Sequence, residues 1–257
     1  MAASLVPSVL FLLGACVGSF LNVVVLRFSS AQSSLWERSQ CRQCQKTLRW
    51  WELVPIISYL GLRGRCARCG ARLLAQYPLV ELAMGIVFVW VLYPLPLTVT
   101  DSIEHVLLIA AIAGLLTIGL IDFYTFLLPD THILFLTGVA VLLQLLRGNI
   151  MTLGALLGVI GGAGFLLILW LITRGQGIGL GDVKLMVPLG LLLGGMGTVV
   201  LLFGAFCLGG MIGVLLLLRG SAVLKTPIPF GPFLAGMAIV LLMLSGLPEQ
   251  FFSLLFW

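Results

Sequence analysis

Charge is what this sequence has least of. Only 9% of its 257 residues are Asp, Glu, Lys or Arg, against roughly 25% in a soluble globular domain. Hydrophobic residues make up 61% and the mean hydropathy is +1.20. A soluble enzyme, a bare DNA-binding domain and a disordered adaptor are all excluded. Histidine is nearly missing as well, with His105 and His132 alone, so no Ser–His–Asp set competes as a catalytic device. No Walker A lysine pattern occurs, and the glycines after Ile178 follow no recognisable strand, which removes the nucleotide-binding motifs. The first apolar run, 6–26, lacks a basic segment before it and a small-residue cleavage site after it. It is read as a retained helix rather than a signal peptide.

Apolar stretches of membrane-spanning length, with charges confined mainly to their ends, predict an all-α polytopic membrane protein. After 6–26, further helices are expected at 77–96, 103–121, 131–146, 151–173, 183–194, 198–218 and 230–247. The stretch 185–218 is too long for one span, and Gly194, Gly195 and Gly197 offer the turn that divides it. About eight transmembrane helices result, with seven or a re-entrant segment as alternatives. Gly14 and Gly18, and Gly154, Gly158, Gly161, Gly162 and Gly164, are spaced for close helix packing. Cys16 and Cys207 lie in apolar helices and read as small packing residues.

The polar segment 29–76 divides the chain into a first helix (1–28), a small insertion (29–76) and a membrane-embedded remainder (77–257). It carries eight basic residues against Glu37 and Glu52, a balance of +6, while the rest sums to −1. With this segment in the cytoplasm and eight alternating helices, thirteen of fourteen basic residues fall inside and Arg147 alone outside. Both termini are then periplasmic. Asp122, Asp130 and Asp182 come to the cytoplasmic face and His105 to the opposite one. The basic face suits anionic lipid. Nucleic acid is not an expected partner, because phosphate attraction alone carries no sequence information.

Cys41-Arg-Gln-Cys44 and Cys66-Ala-Arg-Cys69 are two C-x-x-C knuckles that together complete a tetrahedral thiolate site. Structural zinc is the favoured occupant, with a redox dithiol or iron–sulfur centre as alternatives. Gly70 suits a tight knuckle, and Trp50, Trp51, Leu53, Ile56, Ile57, Tyr59 and Leu60 form the expected small core. Ionised carboxylates at membrane helix ends need water, a partner or a function. Asp130 and Asp182 each precede a helical pattern and can be N-caps. Asp122 and Asp182 as a pair can instead share a proton, one acting as general base and the other as general acid.

Taken in order, Gly18-Ser-Phe-Leu-Asn22 with Arg27, the paired knuckles, Tyr77-Pro-Leu-Val-Glu81, Asp122 with Leu128-Pro129-Asp130, Gly177-x-Gly179-x-Gly181-Asp182-x-Lys184 and Pro229-Phe-Gly-Pro232 resemble the bacterial type IV prepilin peptidase family. The matches run from the first helix to the last. The resemblance implies a GxGD-class aspartic protease of the bacterial inner membrane with Asp122 and Asp182 as the catalytic pair. Its substrates would be prepilins and pseudopilins carrying a short basic leader before a hydrophobic helix, cut on the cytoplasmic side between Gly and Phe. Family members with this cysteine module often also N-methylate the new terminus using S-adenosylmethionine. Asn22, Arg27, Glu81, Asp130, Gly179, Gly181 and Lys184 are expected near substrate or methyl donor. Each also has an ordinary reading: Asn22 as a bridge between helices, Arg27 as a headgroup anchor, Glu81 as a partner for a basic residue, and Lys184 as a marker of the helix end. A proton-coupled transporter and a membrane-anchored zinc module that binds partners are the competing readings.

Overall fold

The computed structural model describes residues 2–29, 38–93, 95, 98–148, 152–220 and 226–245. Glu37, Lys225 and the end of the last expected span lie outside the described residues. The elements are α1 (Ala2–Ser29), a 3-10 turn (Trp50–Leu53), α2 (Ile57–Gly61), α3 (Gln76–Leu92), α4 (Val99–Thr125), α5 (Asp130–Leu146), α6 (Leu153–Thr173), α7 (Leu180–Leu218) and α8 (Gly231–Ser245). Extended pairing among the described residues is limited to two isolated bridges, Gln40 with Thr47 and Arg65 with Arg72. The architecture is the all-α membrane protein expected, with the knuckle insertion after the first long helix. By length and composition α4, α6, α7 and residues 5–28 of α1 can cross a membrane, while α3, α5 and α8 are shorter apolar helices.

Contacts divide the chain into two compact units, Met1–Val99 and Thr100–Trp257. The change in composition at 76/77 marks the end of the polar insertion, whereas the contacts group α3 with α1. In the first unit those two helices run antiparallel. A Cβ on Gly14 would overlap the Met84 carbonyl oxygen, and one on Gly18 would stand 2.7 Å from Glu81 Cα. Backbones that close leave no room for a side chain. Lipid tails are as apolar as leucine, so it is this close packing that joins helices in a bilayer.

The second unit is built around α4, whose buried face extends from Ile109 to Asp122. Gly114 meets Leu136 of α5, and Gly119 meets Ala235 of α8. At the start of α4, Glu104 pairs with Arg147 just after α5, at 2.6 Å. Asp122 lies 17 residues beyond His105 on the same helix, about 26 Å along its axis. His105 is therefore remote from the acids, as expected.

A straight helix of 39 residues would be about 58 Å long, nearly twice the hydrocarbon core. The chain avoids this by doubling back. A Cβ on Gly162 of α6 would touch both Met186 and Thr198, which a straight helix would hold about 18 Å apart. A Cβ on Gly158 would meet the backbone of both Gly190 and Gly194. The two halves of α7 thus run in opposite directions along the same stripe of α6. Gly194 makes the reversal alone, with φ 68° and ψ −175°, a conformation strongly disfavoured for a residue with a Cβ. Gly195 and Gly197 were also expected in the turn but lie in helix. Thr198, four residues past the break, is left with a buried hydroxyl that has no hydrogen-bond partner among the described residues.

Two expectations about packing are corrected. Trp50, Trp51, Leu53, Ile57 and Leu60 are exposed, Trp50 by 80% and Leu60 by 67%, so they do not form a core of the insertion. The segment is organised by its cysteines and hairpins, and its apolar side chains face outward. Cys16 and Cys207 are likewise exposed on their helices, where the surroundings of a membrane span are hydrocarbon rather than protein.

Candidate functional site

The insertion consists of two similar hairpins. In the first, the Cys41 N–H donates to the Lys46 carbonyl and the Gln45 N–H to the Cys41 carbonyl. In the second, Cys66 donates to Ala71 and Gly70 to Cys66. The residue after each second cysteine has a left-handed backbone, Gln45 at φ 57° and Gly70 at φ 70°. These turns converge the sulfurs of Cys41, Cys44, Cys66 and Cys69 to within 4.8 Å of one another. Cys41 Sγ and Cys69 Sγ are 3.8 Å apart, the spacing that Zn–S bonds of about 2.3 Å impose on a tetrahedron. An amide hydrogen bond at Ala71 favours the Cys69 thiolate. Desolvation and the neighbouring Cys66, Cys41 and Cys44 outweigh it and push the thiol up to about 11. Thiols crowded in this way ionise when a dication joins them. The cluster fits structural zinc.

Glu81 ties this insertion to the membrane helices. Its Oε2 accepts from the Ile56 N–H at 2.7 Å, at a residue held at φ 61°, and Ser19 of α1 is a second partner. The expected basic partner is thus replaced by a backbone amide and a hydroxyl. Asn22 bridges α1 and α3, donating to the Tyr77 carbonyl at 3.2 Å and accepting from Gln76 Nε2 at 3.1 Å. Arg27 occupies the last turn of α1.

The other expected residues lie in the second unit. Asp122 and Asp182, sixty residues apart in sequence, are each 5% exposed and close enough for their charges to interact. Each carboxylate is held by a backbone amide at a helix N-terminus, where orphan N–H groups and the helix dipole favour negative charge. Asp122 Oδ2 accepts from Gly231 N–H at the start of α8, at 3.0 Å. Asp182 Oδ2 accepts from Gly179 N–H at the start of its own helix, at 3.1 Å. Asp182 is three residues into the capping arrangement rather than at the N-cap, which is Gly179. Its Oδ1 is buried with no hydrogen-bond partner among the described residues. An uncommitted carboxylate oxygen beside a second acid is suited to taking a proton from water.

Asp130 is not an N-cap either. Pro129 holds that position, and the Asp130 carboxylate receives Lys184 Nζ through both oxygens at 2.8 and 3.1 Å. That pair joins the starts of α5 and α7. Gly181 supports the same junction, since a Cβ there would stand 2.8 Å from the Leu128 side chain.

Sequence reasoning missed Gly231 as a site residue. Its signal was the glycine set between prolines in Pro229-Phe-Gly-Pro232. A Cβ at this position would stand 2.6 Å from Asp122 Oδ2, so the carboxylate and a side chain cannot share the space.

An all-helical chain with membrane-spanning helices and an interacting pair of buried carboxylates has the makeup of a membrane-embedded aspartic protease. Comparison with known proteins agrees in detail. Residues 12–95 match the bacterial peptidase A24 N-terminal domain, and 109–214 match the type IV leader peptidase family. The prepilin leader peptidase/N-methyltransferase of Burkholderia pseudomallei (strain 1026b) is 35% identical, covering 87% of this chain and 80% of its own. Those of Pseudomonas putida (33% identical; 87% and 85%) and Aeromonas salmonicida strain A449 (31%; 89% and 87%) are similar over the same extent. No solved structure matches. The chain belongs to the type IV leader peptidase family, a family of aspartic proteases.

Proposed function

We propose that this protein removes the basic leader from type IV prepilins and pseudopilins at the cytoplasmic face of the bacterial inner membrane, with Asp122 and Asp182 as its catalytic pair. The observation that carries this reading is the placement of both acids, buried together and each held through one oxygen by a helix N-terminal amide. One acid of the pair takes a proton from water as the water attacks the scissile carbonyl. The other, entering in the protonated form, gives its proton to the leaving nitrogen. The C–N bond breaks, a carboxyl group forms on the leader and an amine on the mature chain, and the pair ends with its single shared proton. Lys184 and Asp130 position the start of α7 through the junction at Gly181 and Leu128. Asn22 and Glu81 position the knuckle module, and Arg27 anchors α1 at the headgroups.

Zinc on Cys41, Cys44, Cys66 and Cys69 would supply a fixed crosslink between the two hairpins and no reaction chemistry. The relatives' names pair the peptidase with an N-methyltransferase, and we extend that second activity, with S-adenosylmethionine as donor, to this chain. The cleft in the knuckle module lined by Arg38, Arg49 and Arg68 does not suit that donor, whose sulfonium and ammonium groups are cations.

Substrate presentation is part of the same reading. A hydrophobic helix inserted beside the peptidase would bring a scissile bond at its end to the interface, level with the starts of α7 and α8. Leader release and methyl incorporation are measured together with purified protein in reconstituted membranes, using a prepilin and labelled S-adenosylmethionine. The reading requires a new Phe terminus and a methyl label on it. Moving the Gly–Phe bond deeper into the hydrocarbon should reduce cleavage, and equal cleavage at every depth would overturn this geometry. Ion-dependent flux without cleavage would favour a transporter instead.

A further inference from the structure

The outward-facing residues of the knuckle module include a cleft of about 440 Å³ lined by Arg38, Thr47, Leu48, Arg49, Trp50, Trp51 and Arg68. Three arginines and two tryptophans are among its lining residues, and none of these described residues is acidic. Glu52, the described acid nearest to these residues in sequence, is buried and accepts from the Arg49 N–H at 2.6 Å. Three like charges around one concavity repel each other unless an anion sits between them, and Arg is the side chain best suited to phosphate.

The surroundings of the cleft point to the source of that phosphate. Residues 50–60 expose Trp50, Trp51, Leu53, Ile57 and Leu60, an apolar face that is costly in water. The same segment is tied to the helices on either side of it, near the end of α1 and the start of α3. Glu81, in the second turn of α3, binds the Ile56 amide, while Asn22 near the end of α1 meets Tyr77 at the start of α3. Both ends of the module therefore enter the membrane side by side, and Ile57 and Leu60 follow Ile56 directly. Tryptophan and arginine are the residues that settle among headgroups, the indole at the boundary and the guanidinium on phosphate.

We infer that the cleft is a binding site for the phosphate headgroup of an anionic phospholipid, with Arg38, Arg49 and Arg68 on the phosphate and the Trp50 and Leu60 face in the interfacial layer. The module is thereby seated on the membrane by the lipid as well as by its two helices. This accounts for a +6 segment beside a basic leader, since the anionic lipid neutralises a charge that would otherwise repel the substrate. The site includes neither carboxylate of the pair, and its test does not depend on proteolysis.

The test titrates the purified full-length protein in neutral detergent with short-chain phosphatidylglycerol, and separately with phosphatidylcholine, reading bound lipid by native mass spectrometry. At about a fivefold contribution per basic side chain near an anionic surface, R49A/R68A should bind phosphatidylglycerol about thirtyfold more weakly. Arg49→Lys/Arg68→Lys should recover most of that loss, and zinc content should remain at the wild-type level in both. In the unaltered protein, brominated phosphatidylglycerol in nanodiscs should quench tryptophan fluorescence more than brominated phosphatidylcholine. Unchanged binding by R49A/R68A, or equal quenching by the two lipids, would overturn the assignment. So would displacement of the lipid by equimolar inorganic phosphate or S-adenosylmethionine, since either would make this a site for a soluble ligand.

Discussion

Replacing Gly231 by alanine adds one methyl group and should disable the peptidase without unfolding it. The new Cβ would stand 2.6 Å from Asp122 Oδ2, 3.0 Å from its Cγ and 3.2 Å from its Cβ. A carbon and an oxygen at 2.6 Å overlap well inside contact distance, so the carboxylate must rotate or the start of α8 must withdraw. Either movement breaks the 3.0 Å hydrogen bond from the Gly231 amide. A hydrogen bond to a charged group contributes about 1.5–3 kcal/mol, and overpacking costs about 1–3 kcal/mol. If the lost hydrogen bond is expressed in the transition state, kcat falls about 10- to 150-fold. The glycine has no positive φ, so the effect cannot be attributed to backbone strain there. Gly236, in the same helix with open space where a Cβ would go, supplies the control: G236A should process prepilin at the wild-type rate. Leader cleavage is measured for both variants beside thermal unfolding in detergent. G231A with wild-type kcat would refute the reasoning that Asp122 must hold this position.

Other consequences are simpler to check. Replacing Cys41 or Cys66 by serine should lower zinc from about one per chain and expose the 38–75 segment to protease before the membrane helices are affected. A zinc-free, active wild type would contradict the structural role. Gly194→Ala forces a side chain onto a backbone at φ 68°; it should cost at least about 1 kcal/mol and lower the yield of folded protein, seen as a reduced midpoint in thermal unfolding. Lys184→Met removes an exposed ion pair of about 0–1 kcal/mol, so cleavage should stay within about fivefold of wild type. A far larger loss would mean that the lysine acts on the chemistry itself.

Much of this arrangement was legible in the sequence because a bilayer imposes simple rules. Long apolar runs become helices, glycines at i and i+4 become contact faces, and Gly14 with Gly18 proved to be one such face. The acids were legible through their motifs, and the knuckles through ligand spacing. What could not be read was contact between distant segments. Gly231 reaches Asp122 across 109 residues; the proline-flanked glycine marks a special position, but nothing local names Asp122 as its partner. The reversal at Gly194 was half legible: a break was required by length, but three neighbouring glycines could have supplied it. The tryptophans of the module misled because apolar residues in a polar segment read as a core. With cysteine turns organising the segment, those side chains were free to face outward.

The central claim is that two carboxylates share the chemistry. It is tested most directly by measuring prepilin cleavage with purified Asp122→Asn and Asp182→Asn proteins at matched folded concentration. Asparagine preserves size and keeps an oxygen to accept from Gly231 or Gly179, while removing the ability to exchange a proton. Each variant should insert, fold and retain zinc like the wild type, yet release no detectable leader. Substantial cleavage by either well-folded variant would contradict the account.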